Sequence, residues 1–575
     1  MIRSHNCSSF ILAALLISSS PSYGADSATL HGVTKNLDGG ALPGVNLVIH
    51  NTADSTDCST TSHSDGSFWL EGLKPGAYLV SANKDGFQPV SAVKVDLAAG
   101  QTTGIDVILA SLAIASFEPK PAAGFLKRLV HAYAEDWHPT PTAETALPPV
   151  FRGYPAPEDD PPYPFTVWPM GGTVNIGQPS ASPYPLTTAL LNGPHGDFWK
   201  NSGIQLYGWV DVGMNISSSN KGPYANSPAA YNQVANSVQL DQLTFYIERD
   251  PDTVQTDHFD WGFRFTNLYG MDYRFTTQEG LLSHQLLHNN TNGSLGNIYG
   301  YDPVMAYVDL YFPHVVQGLD VRIGRYVSLP DIEAQLAPNN YTYMHSLVYT
   351  YDCYTQDGIN GTFKVTDHWT IQVGLSASCD TAPWTKHAKA TVNLCAAYYW
   401  QKGGDEIYAC ANSLNDSEYS YNNLAAYYLT FYHKINANWH TDFESWYQYE
   451  KHTPNIFNPD AQSLLILGAN GAYCNTPQQL TCFAPEWSFL NYLNRQLGKK
   501  DFISLRDEYF DDIKGQRTGY KTRYVEAGIS WNHWIGSTLV FRPEIRFEHA
   551  FDMQAYNSGT KQSQLMFAGD MIFFF

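Results

Sequence analysis

The chain has 575 residues and carries 54 acidic against 33 basic side chains, a formal charge of −21. Such acidity argues against a nucleic-acid partner, because those binders need basic patches to neutralise phosphates. With 14% aromatic but only 15% charged residues the composition departs from that of a soluble enzyme, and beyond the N-terminus no run approaches the ~18 consecutive apolar residues of a membrane-spanning helix.

Residues 1–24 combine a basic start at Arg3, an apolar run from Phe10 to Ile17, and the small residues Ser22 and Gly24. This pattern predicts a secretory signal peptide cleaved after Gly24, and therefore an exported protein. Cys7 lies inside the signal, which leaves seven cysteines, an odd number that cannot all pair with one another.

In residues 28–110, short alternating runs such as Val45–Ile49, Ser67–Leu70 and Ala77–Ala82 are separated by Asp-Gly, Pro-Gly and Gly-Gly signals. The pattern predicts a small antiparallel sandwich of seven strands. The segments Gly32-Val33, Leu42-Pro43-Gly44-Val45, Ser64-Asp65-Gly66-Ser67-Phe68, Leu73-Lys74-Pro75-Gly76-Ala77-Tyr78 and Asp85-Gly86-Phe87 resemble the carboxypeptidase regulatory-like domain. Their physics is structural: glycines for turns with positive φ, prolines at turn entry, and Phe68 and Tyr78 as inward aromatics. The resemblance implies a stalk or binding accessory.

Residues 111–202 read as a Pro-rich extended linker with one short helix, Phe125–Trp137, followed by prolines clustered from Pro139 to Pro164. The helix places Phe125, Leu129, Val130 and Tyr133 on one face, which suits either a membrane surface or a neighbouring element.

From residue 203 to 575 the period changes to two. Between Ile204 and Asn215, Leu206, Gly208, Val210, Val212 and Met214 alternate with Gln205, Tyr207, Trp209, Asp211 and Gly213. Between Thr538 and His549, Leu539, Phe541, Pro543, Ile545 and Phe547 oppose Val540, Arg542, Glu544, Arg546 and Glu548, so four charges follow one another on one face. About sixteen such candidates, each near the ~9 to 11 residues that cross an outer membrane, are joined by short links alternating with long loops. The chain closes with Met571-Ile572-Phe573-Phe574-Phe575 and apolar residues at every second position before it, resembling the C-terminal recognition strand of bacterial outer-membrane proteins. The predicted fold class is all-β: a transmembrane antiparallel β-barrel of about 16 strands, preceded by a small β-sandwich and a Pro-rich linker.

Asp302-Pro303-Val304 through Gly324-Arg325-Tyr326, Asp260-Trp261-Gly262-Phe263-Arg264, and Leu505-Arg506-Asp507-Glu508-Tyr509-Phe510-Asp511-Asp512 resemble the β-barrel porin-2 family of OmpL-like proteins over most of residues 203–575. The resemblance implies a porin with no catalytic motif. A regulatory-like domain also precedes TonB-dependent receptors, but their 22 strands and plug need more chain than follows residue 202.

The inward charges then define a candidate lumen: Asp211, Arg322, Asp442, Glu444, Arg506, Glu508, Arg542, Glu544, Arg546 and Glu548. Each either contacts solute or forms an ion pair that stiffens the wall. The run Ser328–Pro338 predicts a short helix with two acids, Asp331 and Glu333. By analogy with sixteen-stranded general porins this loop folds inward and brings both acids to the lumen. Cys395 and Cys410 fall opposite one another if Lys402-Gly403 is a two-residue turn. Cys474 with Cys482 and Cys353 with Cys379 make two further pairs, leaving Cys58.

The expected function is passive diffusion of small hydrophilic solutes or ions through a polar lumen in the bacterial outer membrane, with the N-terminal domain on the periplasmic side. A second hypothesis makes the barrel only an anchor for an adhesin or envelope-anchoring protein. A barrel enzyme needs Ser, His and acid groups converging at the rim, and the chain holds no G-x-S-x-G, H-E-x-x-H or P-loop motif. No cofactor is expected, nor a metal, since no Cys and His cluster has zinc spacing. Expected partners are outer-membrane lipids, the barrel-assembly machinery through the terminal Phe575, and the solutes. Whether the chain trimerises stays open, as does the sign of selectivity at the constriction, although net acidity points to a mild cation preference.

Overall fold

The computed structural model describes residues 27–36, 40–54, 56–63, 65–84, 87, 90–109, 124–139, 176–179, 182–287, 298–466 and 469–575. The signal-peptide segment 1–24 lies outside the described residues. The chain divides into two compact units, residues 1–121 with 145–147 and residues 122–144 with 148–575.

The N-terminal unit holds β1 (Ala28–Asn36), β2 (Asn46–Asn51), β3 (Asp57–Thr61), β4 (Ser67–Leu73), β5 (Gly76–Asn83), β6 (Val90–Leu97) and β7 (Thr102–Leu109). They form two sheets, of order β4-β1-β7 and β3-β2-β5-β6. The period-two alternation buries Val45, Leu47, Ile49, Phe68, Tyr78 and Val80 in one apolar core. The sheets are not purely antiparallel as the turn signals imply, because β7 runs parallel to β1. That pairing needs a crossover between sheets, a non-local connection that turn residues do not encode. At Gly32 a Cβ would stand 1.9 Å from the Ile105 carbonyl oxygen, so only glycine fits where β1 meets β7.

The second unit is a closed antiparallel barrel of sixteen strands. Its first half comprises β8 (Gln205–Ser217), β9 (Val238–Arg249), β10 (Asp260–Gly270), β11 (Gly300–Phe312), β12 (Leu319–Val327), β13 (Thr355–Lys364), β14 (Trp369–Ser376) and β15 (Thr391–Trp400). The second half comprises β16 (Asp405–Leu414), β17 (Ala425–Lys434), β18 (Trp439–Pro454), β19 (Thr481–Gln496), β20 (Asp501–Asp512), β21 (Thr522–Ile535), β22 (Leu539–Ala550) and β23 (Ser563–Phe574). One rim carries short links such as 365–368, 401–404 and 497–500, and the other carries long loops such as 271–299, 328–354 and 455–480.

Closure is made by β23 on β8, in register from Met566 opposite Ser217 to Phe574 opposite Trp209. Phe575 extends the pair: its N–H donates to the Gly208 carbonyl at 2.9 Å, and the Gly208 N–H donates back at 3.1 Å. With no strand edge left, the ladder groups pair within the wall apart from local bulges such as the one between Glu450 and Thr453, as a lipid environment demands.

Alternation now has a physical direction. Leu243, Val308, Ile323, Ile359, Leu375, Leu394, Leu429, Leu505, Ile545 and Phe567 all stand exposed on the outside. Exposed aromatics gather near both ends of the strands, with Phe259, Trp261, Trp369 and Trp531 towards the short turns and Tyr269, Tyr301, Tyr427 and Trp487 towards the loops. An apolar belt between two aromatic girdles is what a bilayer selects on a barrel exterior, where a buried Lys or Arg costs about 2–4 kcal/mol at the midplane.

Three helices, not one, occur among the described residues of 111–202: α1 (Phe125–Trp137), α2 (Pro185–Leu191) and α3 (Gly196–Ser202). The last two are single seven-residue pieces, too short to show periodicity, and Pro185 sits at the start of α2 where its missing N–H costs nothing. Helix α1 packs against the barrel at the short-turn rim. Tyr133 donates to the Phe574 carbonyl at 3.0 Å, the Trp137 indole donates to Thr538 at 2.8 Å, and the Asp136 carboxylate accepts from the Ser537 N–H at 2.9 Å. Leu126 and Val130 remain largely exposed, so the packed face is centred on Tyr133 and Trp137 and excludes Val130.

Candidate functional site

The segment 328–354 between β12 and β13 turns into the barrel. Leu329, Ile332, Ala334, Leu336, Ala337, Tyr341, Leu347 and Val348 are buried there with inner-face residues such as Trp446 and Tyr492. The helix expected over Ser328–Pro338 does not form: only a 3-10 turn at Ala337–Asn339 and a single helical turn, α4 (Leu347–Thr350), are present. Asp331 has φ +126°, outside any right-handed helix, because the backbone bends to give its N–H groups and carbonyls to the wall instead. Within the segment, Asn340 braces the chain by exchanging hydrogen bonds with both the N–H and the carbonyl of Ala334, each at 2.8 Å.

Wall groups on many strands hold this loop. Glu444 on β18 accepts from the Ile332 N–H at 2.7 Å, and Glu508 on β20 accepts from the N–H groups of Leu347 and Val348 at 3.1 and 3.0 Å. Glu544 on β22 accepts from the Met344 N–H at 3.0 Å, while Arg542 donates to the carbonyls of Ala337 and Asn340, both at 2.8 Å. Arg546 donates to the His345 carbonyl. Asn532 on β21 donates to the Tyr341 carbonyl at 2.7 Å, and Gln242 on β9 accepts from the Ala337 N–H at 3.1 Å. Most of these are charge-assisted bonds, which are stronger than neutral ones.

All the predicted lumen residues are buried. Arg506, Glu508, Arg542, Glu544, Arg546 and Glu548 form one continuous array on β20 and β22. Arg506 pairs with Glu526 at 2.9 Å, with Glu333 of the loop at 3.0 Å and with Glu544 at 3.5 Å. Arg546 pairs with Glu548 at 2.6 Å and Glu508 at 3.6 Å, and Arg542 with Asp570 at 2.9 Å through its Nε. Asp211 lies on β8, whose neighbour β23 carries Asp570. Arg322 stands apart from this array, paired with Asp309 at 2.8 Å and stacked over the Tyr307 ring at 3.8 Å. Asp442 accepts from Asn494 at 2.8 Å. Asp331 does not join the array; it converges with Asp352 and Glu444.

Glu526 and Asp570 fall on the inward positions of their strands and were within reach of the alternation rule. Asp352, Tyr341 and His345 were not, since an aperiodic loop carries no signal of where it touches the wall. Gly213 is another such residue. A Cβ there would lie 2.0 Å from the Tyr343 hydroxyl and 2.1 Å from the Asp241 carboxylate, so glycine makes room for the loop at the wall. Tyr343 donates to that carboxylate at 2.9 Å.

The disulfides join Cys353 to Cys379, Cys395 to Cys410 and Cys474 to Cys482, with Cα separations of 5.4, 4.0 and 5.7 Å. The link between β15 and β16 spans residues 401–404, not Lys402-Gly403 alone, but it has the same centre, so Cys395 still faces Cys410. Cys353 fixes the end of the inward loop to the 377–390 loop, where Asp380 accepts from the N–H and hydroxyl of Thr355 at 2.8 and 3.0 Å. Burial pushes the Asp380 carboxyl up to about 6 against the pull of those bonds.

Residues 203–575 match the family described as "Putative beta-barrel porin-2, OmpL-like". The chain belongs to this family. Residues 29–110 match the carboxypeptidase regulatory-like domain. Among solved structures this porin-2 family member is similar to an anion-selective porin from Comamonas acidovorans, with 10% identity over 65% of this chain and 99% of that one and a TM-score of 0.42. It is also similar to the outer membrane channel DcaP of Acinetobacter baumannii, at 10% identity over 64% and 97% of the two chains and a TM-score of 0.39. A loop L8 deletion mutant of OmpT from Vibrio cholerae gives 9% identity over 65% and 99% and a TM-score of 0.40. No curated protein sequence matches the chain. The sixteen-stranded barrel of this porin-2 family member has a charged inner face and a loop turned into it.

Proposed function

We propose that the protein is a bacterial outer-membrane porin through which small hydrophilic solutes or ions diffuse passively. The observation that carries this reading is the division of one wall into an apolar exterior and an inner face lined by Arg506, Arg542, Arg546 and their acids. A polar lumen lowers the cost of moving a hydrated solute across lipid, and the loop 328–354 sets the width and field at the narrowest level. The wall array has three arginines against the five acids Glu508, Glu526, Glu544, Glu548 and Asp570, and the loop adds Glu333. This excess of acid favours cations. The chain enters the barrel at the short-turn rim, which supports a periplasmic N-terminal domain, and the terminal Phe575 supports engagement by the barrel-assembly machinery. A homotrimer is consistent with the exposed apolar belt, which lipid alone also satisfies.

One observation favours a second reading. The inward loop bonds to β9 and to wall strands from β16 to β22, and a lumen so bridged serves equally an anchoring protein whose loops or N-terminal domain do the binding. Swelling of liposomes containing the refolded protein separates the two: uptake of small sugars and salts supports the porin, and osmotic protection equal to protein-free liposomes supports the anchor.

A further inference from the structure

Asp331, Asp352 and Glu444 bring one carboxylate oxygen each into a group lying within 4.8 Å of one another. All three are almost completely buried, at 2%, 0% and 1% exposure. Among the described residues none of the three forms an ion pair with an arginine or lysine, unlike the neighbouring Glu333. Three acids in one pocket, with Arg517 acting on Asp352 only from a distance, repel each other and lose hydration, a combination that burial penalises heavily unless something positive joins them.

The decisive feature is the set of unsatisfied atoms. Among the described residues no N–H or hydroxyl donates to either oxygen of Asp352, to Oδ1 of Asp331 or to Oε1 of Glu444, and the Asp331 and Asp352 carboxyl groups lie against one another. The buried Tyr428 hydroxyl lies beside the Cys353 backbone and within electrostatic reach of all three carboxylates. Buried oxygens that receive no donor take water or an ion, and here they converge from three acids on one point. Two oxygens bound to one calcium ion at about 2.3–2.6 Å stand at most roughly 4.6–5.2 Å apart, so three oxygens that all lie within 4.8 Å of one another can share one ion. An all-oxygen donor set of high charge selects a hard cation over zinc or copper.

We propose that Asp331, Asp352 and Glu444 bind a hard divalent cation of the calcium class inside the barrel. Asp331 lies near the start of the inward loop, Asp352 near its end, and Glu444 on β18. The ion therefore ties both ends of the loop to one strand, and the lumen supplies water to complete its coordination shell. This site is independent of whether the lumen conducts, because it needs only the inward fold of the loop.

The test uses the full-length protein, refolded in detergent, stripped with chelator and titrated with calcium by calorimetry and with terbium by luminescence sensitised by nearby tyrosines. The expected result is one saturable site per chain, with affinity falling roughly tenfold or more in Asp352→Asn and in Glu444→Gln as ligand charge is removed, and unchanged in the loop-surface control Asp416→Asn. Heat-modifiable gel mobility reports whether each variant is folded. Should the variants not refold, manganese soaked into crystals of the unaltered protein gives an anomalous peak between the three carboxylates. Absence of saturable binding, binding indifferent to both substitutions, or a manganese peak only elsewhere overturns the proposal.

Discussion

Arg506 on β20 reaches across to Glu333 of the inward loop at 3.0 Å while its Nε donates to Glu526 on the adjacent strand at 2.9 Å, so one guanidinium joins the wall to the inward loop. Arg506→Met removes the positive partner of three buried carboxylates, Glu333, Glu526 and Glu544, a change of the kind that costs about 3–5 kcal/mol. We expect the loop to detach on that side, with noisier and larger single-channel currents and a stronger cation preference. The conservative partner change Glu333→Gln leaves the Arg506–Glu526 pair and should alter currents less. Equal behaviour of the two variants would show that this bond does not position the loop.

Gly213 tests the same loop from β8, four strands around the wall from β20. In Gly213→Val the new side chain overlaps Tyr343 and Asp241, and overpacking of this sort costs about 1–3 kcal/mol. Unfolding by urea in lipid vesicles should show that loss. Adding Tyr343→Ala creates room and should recover at least half of it, a coupling that distant sites do not show.

Asp380 has a carboxyl raised from its ordinary value near 3.8 to about 6. Between those values the folded protein binds a proton that the unfolded chain releases, so this group makes stability fall as pH rises from about 4 to 6. Asp380→Asn removes that contribution. Urea midpoints measured at steps across this range should decline less steeply in the variant than in the unaltered protein; identical slopes contradict the assignment.

Deleting Phe575 removes both hydrogen bonds to Gly208 that finish the β23–β8 seam. Each is worth about 0.5–1.5 kcal/mol. The truncated chain should refold in lower yield, read as the fraction with folded mobility in unheated gels, while Phe575→Tyr keeps the backbone pair and refolds nearly normally.

Much of this architecture was written in the period-two pattern. A membrane forces each wall residue to face either lipid or lumen, so Ile545 beside Arg546 fixes the orientation of the strand, and the inward charges follow from counting. Cys395 and Cys410 were legible for a similar reason, since a hairpin's register depends only on the centre of its turn. The loop 328–354 was legible in its destination and not in its shape. Pro330 and the acids of Asp331 and Glu333 read locally as a helix start, yet the bonds from Glu444, Glu508 and Arg542 outweigh that preference. Asp352 and His345 lay beyond reach because their roles depend on which wall residue stands opposite, a distance in space that the sequence does not record. Helices α2 and α3 escaped notice because seven residues give barely two turns of pattern.

In the proposed function the barrel conducts through a lumen narrowed by its inward loop. Single-channel conductance of the refolded protein in a planar bilayer, under a salt gradient, addresses it most directly. We expect stepwise openings with a cation-positive reversal potential, and a reduced preference in the double variant Asp331→Asn with Glu333→Gln. Protein that inserts yet shows no conductance steps would contradict the porin account and leave the barrel as an anchor.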